Sequence, residues 1–227
     1  MRQADCIVGY TTYIRLLSRD LLGGKDVVST GMTGEITRCR TAVDRALAGS
    51  NTAVVCSGDP GIYALAGLLL EILREQGLLD RVPFRVVPGI PAFCAAAALL
   101  GAPLMHDFAV VSLSDLLTPW ETIEKRIRAA LEADFVLALY NPRSKKRDWQ
   151  LPRILEMYRF FGAGDRPVGA VKNAAREGES VHLTTVSGLD PEEVDMFTTV
   201  IIGNSQTTSW NRAMCTPRGY MAKYERS

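Results

Sequence analysis

The chain has 227 residues, of which 47% are hydrophobic and 22% charged, with a formal net charge of +1 at neutral pH. That length permits one large domain or two small ones with a sizeable core, and the even charge balance offers nothing to nucleic acid or an anionic membrane surface. Five cysteines (Cys6, Cys39, Cys56, Cys94, Cys215) without CxxC spacing argue against a disulfide framework and a zinc site, and for a cytoplasmic location. The longest apolar stretch, around 93–104, is broken by Gly101 and Pro103, so no membrane span is expected. No charged-then-apolar leader precedes Cys6.

In chain order, residues 6–8 read as a strand opening at Gly9. Gly31 and Gly34 punctuate the next stretch, and Ile36, Ala42, Val43, Ala46 and Leu47 recur at helical spacing up to Gly49. The apolar run 53–56 predicts a strand that ends in Ser57-Gly58-Asp59-Pro60-Gly61, and 62–75 predicts a helix. A further strand is expected at 84–87, ending at Pro88-Gly89, followed by a small-residue helix over 92–100. Loops at the carboxyl ends of strands are where open α/β sheets hold ligands, so both glycine turns are candidate binding elements. Spacing alone leaves Asp59 either capping the following helix or facing a ligand.

His106-Asp107-Phe108 leads into a strand over 109–113, which closes a first α/β domain. The pattern then restarts with a helix at 120–133, a strand ending at Asn141-Pro142, a basic loop at 143–147 and a helix at 151–162. Two strands follow within 166–189, joined by a polar turn, then a strand at 197–204 and a polar tail over 205–227. The expectation is an α/β fold in two domains, 1–113 and 114–227, with a mostly parallel first sheet and a mixed second sheet.

No GxxxxGK, no GxGxxG after a strand, no HExxH and no GxSxG occurs, and His106 and His182 are the only histidines. Phosphate loops, hydrolase triads and histidine-held metals therefore lack support, and no protein-bound metal is expected.

The blocks VVCSGDPGIYALAGLLLE, VVPGIPAFCAAAALLGAPLMHDFAVVSLSD, ALYNPRSKKR, PVGAVKNAAREGE and FTTVIIGNSQT occur in order and together resemble the tetrapyrrole methylase family. Within it the chain is similar to the branch that methylates C17 of precorrin-3-level macrocycles in cobalamin biosynthesis, with contraction of the ring. The resemblance implies a homodimer whose chains bind S-adenosyl-L-methionine in a cleft between two α/β domains, with the tetrapyrrole alongside. It assigns cofactor binding to Ser57, Gly58, Asp59 and Ile62, to Pro91 and Ala92, and to Tyr140, Ala174 and Thr198. For an acid or base in ring contraction, His106, Asp107, Ser114 and Asp115 are nominees, with His106 and Asp115 foremost, although either can serve only a local turn. Arg143 to Arg147, Lys172 and Arg176 are candidates for the substrate's carboxylates.

The resemblance also implies a strand and a glycine-rich loop upstream of the segment matching ADCIVGY, which begins here three residues after Met1. The expectation is that the sequence starts downstream of that strand. Two rival functions stand beside the main reading: a sister enzyme methylating C11 or C20, and a non-catalytic cofactor-binding remnant. Whether the substrate carries cobalt is left open by the sequence.

Overall fold

The computed structural model describes residues 1–224. Residues 225–227, the end of the polar tail, lie outside the described part. Two compact units are present, Met1–Pro91 and Ala92–Ser227.

The first unit holds β1 (Cys6–Tyr10), the short helices α1 (Thr11–Ile14) and α2 (Arg19–Leu22), β2 (Asp26–Thr30), α3 (Glu35–Leu47), β3 (Thr52–Val55) and α4 (Leu65–Glu75). Its sheet has the order β2-β1-β3 and is wholly parallel, with Ile7 opposite Val27 on one side and Ala53 on the other. Cys6, Ile7 and Val8 are fully buried because β1 is the central strand. Helices α3 and α4 close the core with Cys39, Ala42 and Val43 from one and Leu69, Ile72 and Leu73 from the other. Ile36 and Leu47, although in phase with that stripe, stay exposed.

Three sequence expectations need correction in this unit. The helix expected from residue 62 begins at Leu65, because Pro60 and the left-handed Tyr63 (φ 51°) hold 60–64 in a turn and bends. Strand β2 was not expected; its DVVST run carries no long apolar stretch and lies at the sheet edge, with Asp26, Val27 and Ser29 exposed. Conversely, 84–87 forms no strand, and Phe84, Val86 and Val87 are exposed. A strand is defined by a ladder partner, and this β-branched run has none among the described residues.

The second unit comprises α5 (Ala92–Leu100), β4 (Gly101–Ala102), β5 (Phe108–Ser112), α6 (Trp120–Glu132), β6 (Val136–Tyr140), α7 (Gln150–Phe160), β7 (Pro167–Lys172), β8 (Ser180–Thr185), a 3₁₀ turn at Pro191–Glu193, β9 (Thr198–Ile202), β10 (Thr208–Trp210), β11 (Ala213–Cys215) and α8 (Tyr220–Tyr224). Its main sheet runs β5-β6-β9-β7-β8. The β5–β6 pair is parallel and the other pairs antiparallel, so the sheet is mixed, as the short strand runs predict. Because β5 pairs in register with β6 (Val110 opposite Ala138), the strand placed by sequence at the end of the first domain lies in the sheet of the second unit. Helix α5 lies so close to this sheet that a Cβ at Gly169 would stand 2.3 Å from Leu100 Cδ1. The tail is also more ordered than a polar composition suggests: β10 and β11 form a hairpin around Asn211 (φ 55°), and β11 pairs with β4.

Four helices end alike. After α3, α4, α6 and α7, a left-handed residue (Gly49, Gly77, Asp134, Gly162) is followed by an N–H that donates back to a helical carbonyl: Ser50 to Arg45, Leu78 to Leu73, Phe135 to Ala130 and Ala163 to Tyr158. Asp134 takes the position glycine normally holds, and its carboxylate accepts from Arg166, the Ser205 N–H and the Ser205 hydroxyl.

Amide hydrogen exchange tests the unpaired run. Residues 84–87 should exchange at loop-like rates, while Ile7 and Val8 should be slower by roughly a hundredfold or more. Comparable protection of the two segments would reveal a ladder at 84–87.

Candidate cofactor site

In the first unit, the turn after β3 carries Ser57, Gly58, Asp59 and Ile62. Gly58 is left-handed (φ 71°), a conformation a side chain there would resist. Asp59 does not cap α4, whose N-cap is Ala64 with no side-chain bond. Instead one carboxylate oxygen accepts from Gly61 N–H at 2.8 Å and the other from Gly89 N–H at 2.9 Å. These bonds, the one from Gly89 foremost, hold the Asp59 carboxyl below the usual carboxylate range, so it stays anionic. A Cβ on Gly89 would lie 2.2 Å from Gly58 O, so two glycines let the turns touch. The two turns that sequence marks independently are thus one structure, with Pro91 two residues beyond the junction.

In the same unit Arg38 is buried, donating to Thr30 Oγ1 and Gly31 O at 2.9 Å and lying over the Tyr10 ring. It braces the loop after β2, and although it stands four residues before Ala42 of the buried stripe, its charge hides it from a reading of apolar periodicity. Cys39 is buried and its thiol is pushed up to about 11 by burial. Cys56 is shifted in the same direction for the same reason, so both are packing residues with little thiolate character.

In the second unit, strand direction decides which candidates meet. Strands β5, β6 and β7 point the same way and β9 runs against them. Tyr140 at the carboxyl end of β6, Ala174 just past β7 and Thr198 at the start of β9 therefore share one end of the sheet. Ala92 opens α5, and the next residue's N–H, that of Phe93, donates to the Tyr140 hydroxyl at 3.1 Å. Ala174 sits in a tight turn between the left-handed Asn173 (φ 50°) and Ala175 (φ 59°). Thr198 is buried and its hydroxyl donates to Asp195 Oδ1 at 3.0 Å, so its side chain is committed locally.

Asp195 also pairs with Lys172 at 2.7 Å and accepts from Phe197 N–H at 2.9 Å. Burial alone would raise its pKa, but bonds from Lys172, Phe197 N–H and Thr198 outweigh it and lower the value. Lys172 is thereby tied to the sheet and Arg143 to Glu192.

The two acid–base nominees separate. Asp115 follows the carboxyl end of β5, the same end as Tyr140, where it accepts from Gln150 Nε2 at 2.9 Å. His106 precedes β5 and so lies at the opposite end, a strand length or roughly 16 Å away. Its Nδ1 accepts the Asp107 N–H at 2.9 Å, the local turn role. Sequence reasoning did not single out Arg38, and it marked the turns at Gly89 and Asn141 without assigning either residue a role; Asn141 is left-handed (φ 51°) and its Nδ2 donates to Ser112 Oγ at 2.9 Å. An Asn before Pro at a strand end was the available signal for the last. No cluster of three or more His, Cys, Asp or Glu that could hold a metal occurs among the described residues.

The profile of the tetrapyrrole (corrin/porphyrin) methylases matches residues 1–190. The chain belongs to this family. It is similar to the probable cobalt-factor III C(17)-methyltransferase of Salmonella typhimurium, with 50% identity over 97% of this chain and 90% of that protein. It is 38% identical to the precorrin-3B C(17)-methyltransferase of a Sinorhizobium species, over 93% of this chain and 85% of that protein. Among solved structures, that of the methyltransferase CobJ superposes with a TM-score of 0.89 at 37% identity, covering 94% of this chain and 89% of that one. The methylase fold therefore extends over both units.

Two outcomes test this geometry. Gly89→Ala should separate the turns, and a carbonyl ¹³C titration should show the Asp59 pKa returning toward the ordinary carboxylate value; an unmoved titration would mean the contact persists. Because the Asp195 pKa is lowered on folding, its stabilisation is present above the unfolded value near 4 and is lost as pH falls through the folded value. Urea melts of the wild type should thus lose stability below about pH 4 more steeply than those of Asp195→Asn.

Proposed function

We infer that this chain transfers a methyl group from S-adenosyl-L-methionine to C17 of a precorrin-3-level tetrapyrrole, with ring contraction, as a step of cobalamin biosynthesis. The observation that carries this reading is the 50% identity to a C17-methyltransferase over nearly the whole chain. The greater identity to a cobalt-factor III enzyme than to the precorrin-3B enzyme, 50% against 38%, favours a cobalt-containing macrocycle as substrate.

The residues at the turns fit such a methyl donor. The anionic Asp59 is suited to its ammonium or ribose hydroxyls, and the side-chain-free Gly58 and Gly89 allow a ligand close to the backbone. By the family resemblance, Pro91, Ala92, Tyr140, Ala174 and Thr198 are the other proposed donor-binding positions. Bound there, the sulfonium supplies an electrophilic methyl carbon, and the macrocycle supplies the carbon nucleophile. What remains to the protein is alignment and exclusion of water, which rigid turns on strand ends provide better than mobile side chains do. Asp115, at the sheet end that carries Tyr140, is the better placed proton acceptor for ring contraction, and His106 the poorer one.

No helix among the described residues is long and apolar enough to cross a membrane. The five cysteines are free, which suits a reducing cytoplasm. A homodimer is part of the same reading, supported by exposed apolar side chains such as Leu116, Leu117 and Phe160.

Turnover with methyl-¹³C donor on cobalt-loaded and metal-free substrate tests the assignment. The label should appear at C17, faster with the cobalt-loaded macrocycle. Label at C11 or C20 would replace this reading with that of a sister methyltransferase.

A further inference from the structure

The basic loop that joins β6 to α7 is not simply a solvated surface. Ser144 and Arg147 exchange backbone hydrogen bonds at 2.8 and 3.1 Å, folding the loop back on itself. Lys145 and Lys146 project to solvent at its tip, while Arg147 is turned inward and is only 7% exposed. No carboxylate lies within ion-pair distance of it among the described residues. Its Nε and Nη2 both donate to one acceptor, the carbonyl oxygen of Asn141, at 3.3 and 3.1 Å, and Nη2 also lies 3.1 Å from Met196 Sδ. Burial of this charge is costly and is offset by the Asp115 carboxylate, which acts on it from beyond ion-pair distance, and by the two bonds to the Asn141 carbonyl, which hold that carbonyl in place.

The carbonyl belongs to a residue that needs fixing. Asn141 is left-handed, which an L residue adopts at some cost. Its side-chain amide is bonded to Ser112 Oγ at the end of the neighbouring β5, and that oxygen also accepts Ser114 N–H. One residue earlier stands Tyr140, whose carbonyl accepts Leu113 N–H at 2.9 Å and whose hydroxyl accepts Phe93 N–H in the first turn of α5. Phe93 and Tyr140 also stack edge-on, with centroids 6.4 Å apart.

We propose that Arg147 is a positioning residue: by clamping the Asn141 carbonyl it holds the Tyr140 hydroxyl on the first turn of α5, beside Ala92. On this account the arginine serves the methyl donor's site through Tyr140 and Ala92 and is not a ligand for the carboxylate arms of the macrocycle. The link to the donor rests on the function inferred above; the clamp itself does not.

The experiment compares Arg147→Met, Arg147→Lys, Tyr140→Phe and the double variant Arg147→Met/Tyr140→Phe, with Ser112→Ala as a milder lesion should Arg147→Met fold poorly. Amide exchange at Phe93, read without any ligand, reports the clamp. Arg147→Met and Tyr140→Phe should each speed it roughly tenfold or more, and Ser112→Ala should move it in the same direction. Binding of S-adenosylhomocysteine by calorimetry, well below the melting temperature, reports the link to the site. Affinity should fall roughly tenfold in Arg147→Met, with no further loss in the double variant, because the two residues act in series. Lysine, which lacks the fork, should not restore either readout.

Unchanged Phe93 exchange in both Arg147→Met and Ser112→Ala would overturn the clamp, as would full rescue by lysine. Additive losses of affinity, or a raised KM for the tetrapyrrole with unaltered S-adenosylhomocysteine binding, would overturn the route through Tyr140. If the wild type bound no S-adenosylhomocysteine, the functional reading would fall while Phe93 exchange still decided the clamp.

Discussion

Strand direction is the constraint on which the rest depends. In the first unit three parallel strands bring their carboxyl ends to one edge, so the loop after β3 lies where a parallel sheet leaves room for a ligand. In the second, inserting the reversed strand β9 between β6 and β7 keeps β5, β6 and β7 pointing the same way while adding the start of β9 to that end. Residues far apart in sequence, Asp115, Tyr140, Ala174 and Thr198, therefore share one end of a sheet without any one of them selecting the others. The same rule takes His106 away from them, since a residue that precedes a strand lies at its opposite end.

What was legible in the sequence was legible for local reasons. Glycines at 49 and 162 announced two helix ends, and Gly77 closes a third in the same way, because a left-handed residue terminates a helix cheaply when it lacks a Cβ. The fourth, at Asp134, was masked by an ordinary residue and depends on partners 32 and 71 positions away. The turn at 57–61 was visible as a break after an apolar run, but the role of Asp59 was not. Its second partner, Gly89, lies 30 residues on, and spacing cannot show that two turns touch.

The failures share that cause. The run at 84–87 has strand composition, and composition does not supply a neighbour; β2 has poor strand composition and gains its state from pairing with β1. The hairpin β10–β11 survives in a polar tail because Met214 is fully buried and β11 finds the two-residue β4, a contact across more than a hundred positions. Beta structure is a property of pairs, so sequence reads it less well than it reads helix.

The inward turn of Arg147 bears on what a methylase needs from its protein. Displacement at a sulfonium methyl requires no strong side-chain acid or nucleophile, but it tolerates little error in the line joining nucleophile, carbon and sulfur. A site made mainly of backbone groups can meet that demand only if the backbone itself is held. Here the holding is done by charged side chains: Asp59 on Gly89 N–H, Arg38 on Gly31 O, Asp195 on Phe197 N–H and Arg147 on Asn141 O. Charged groups are suited to this work because bonds involving a formal charge are roughly twice as strong as neutral ones. Arg38 and Arg147 are also buried, which confines them to one geometry, so charge in this protein acts on the main chain as well as on a substrate.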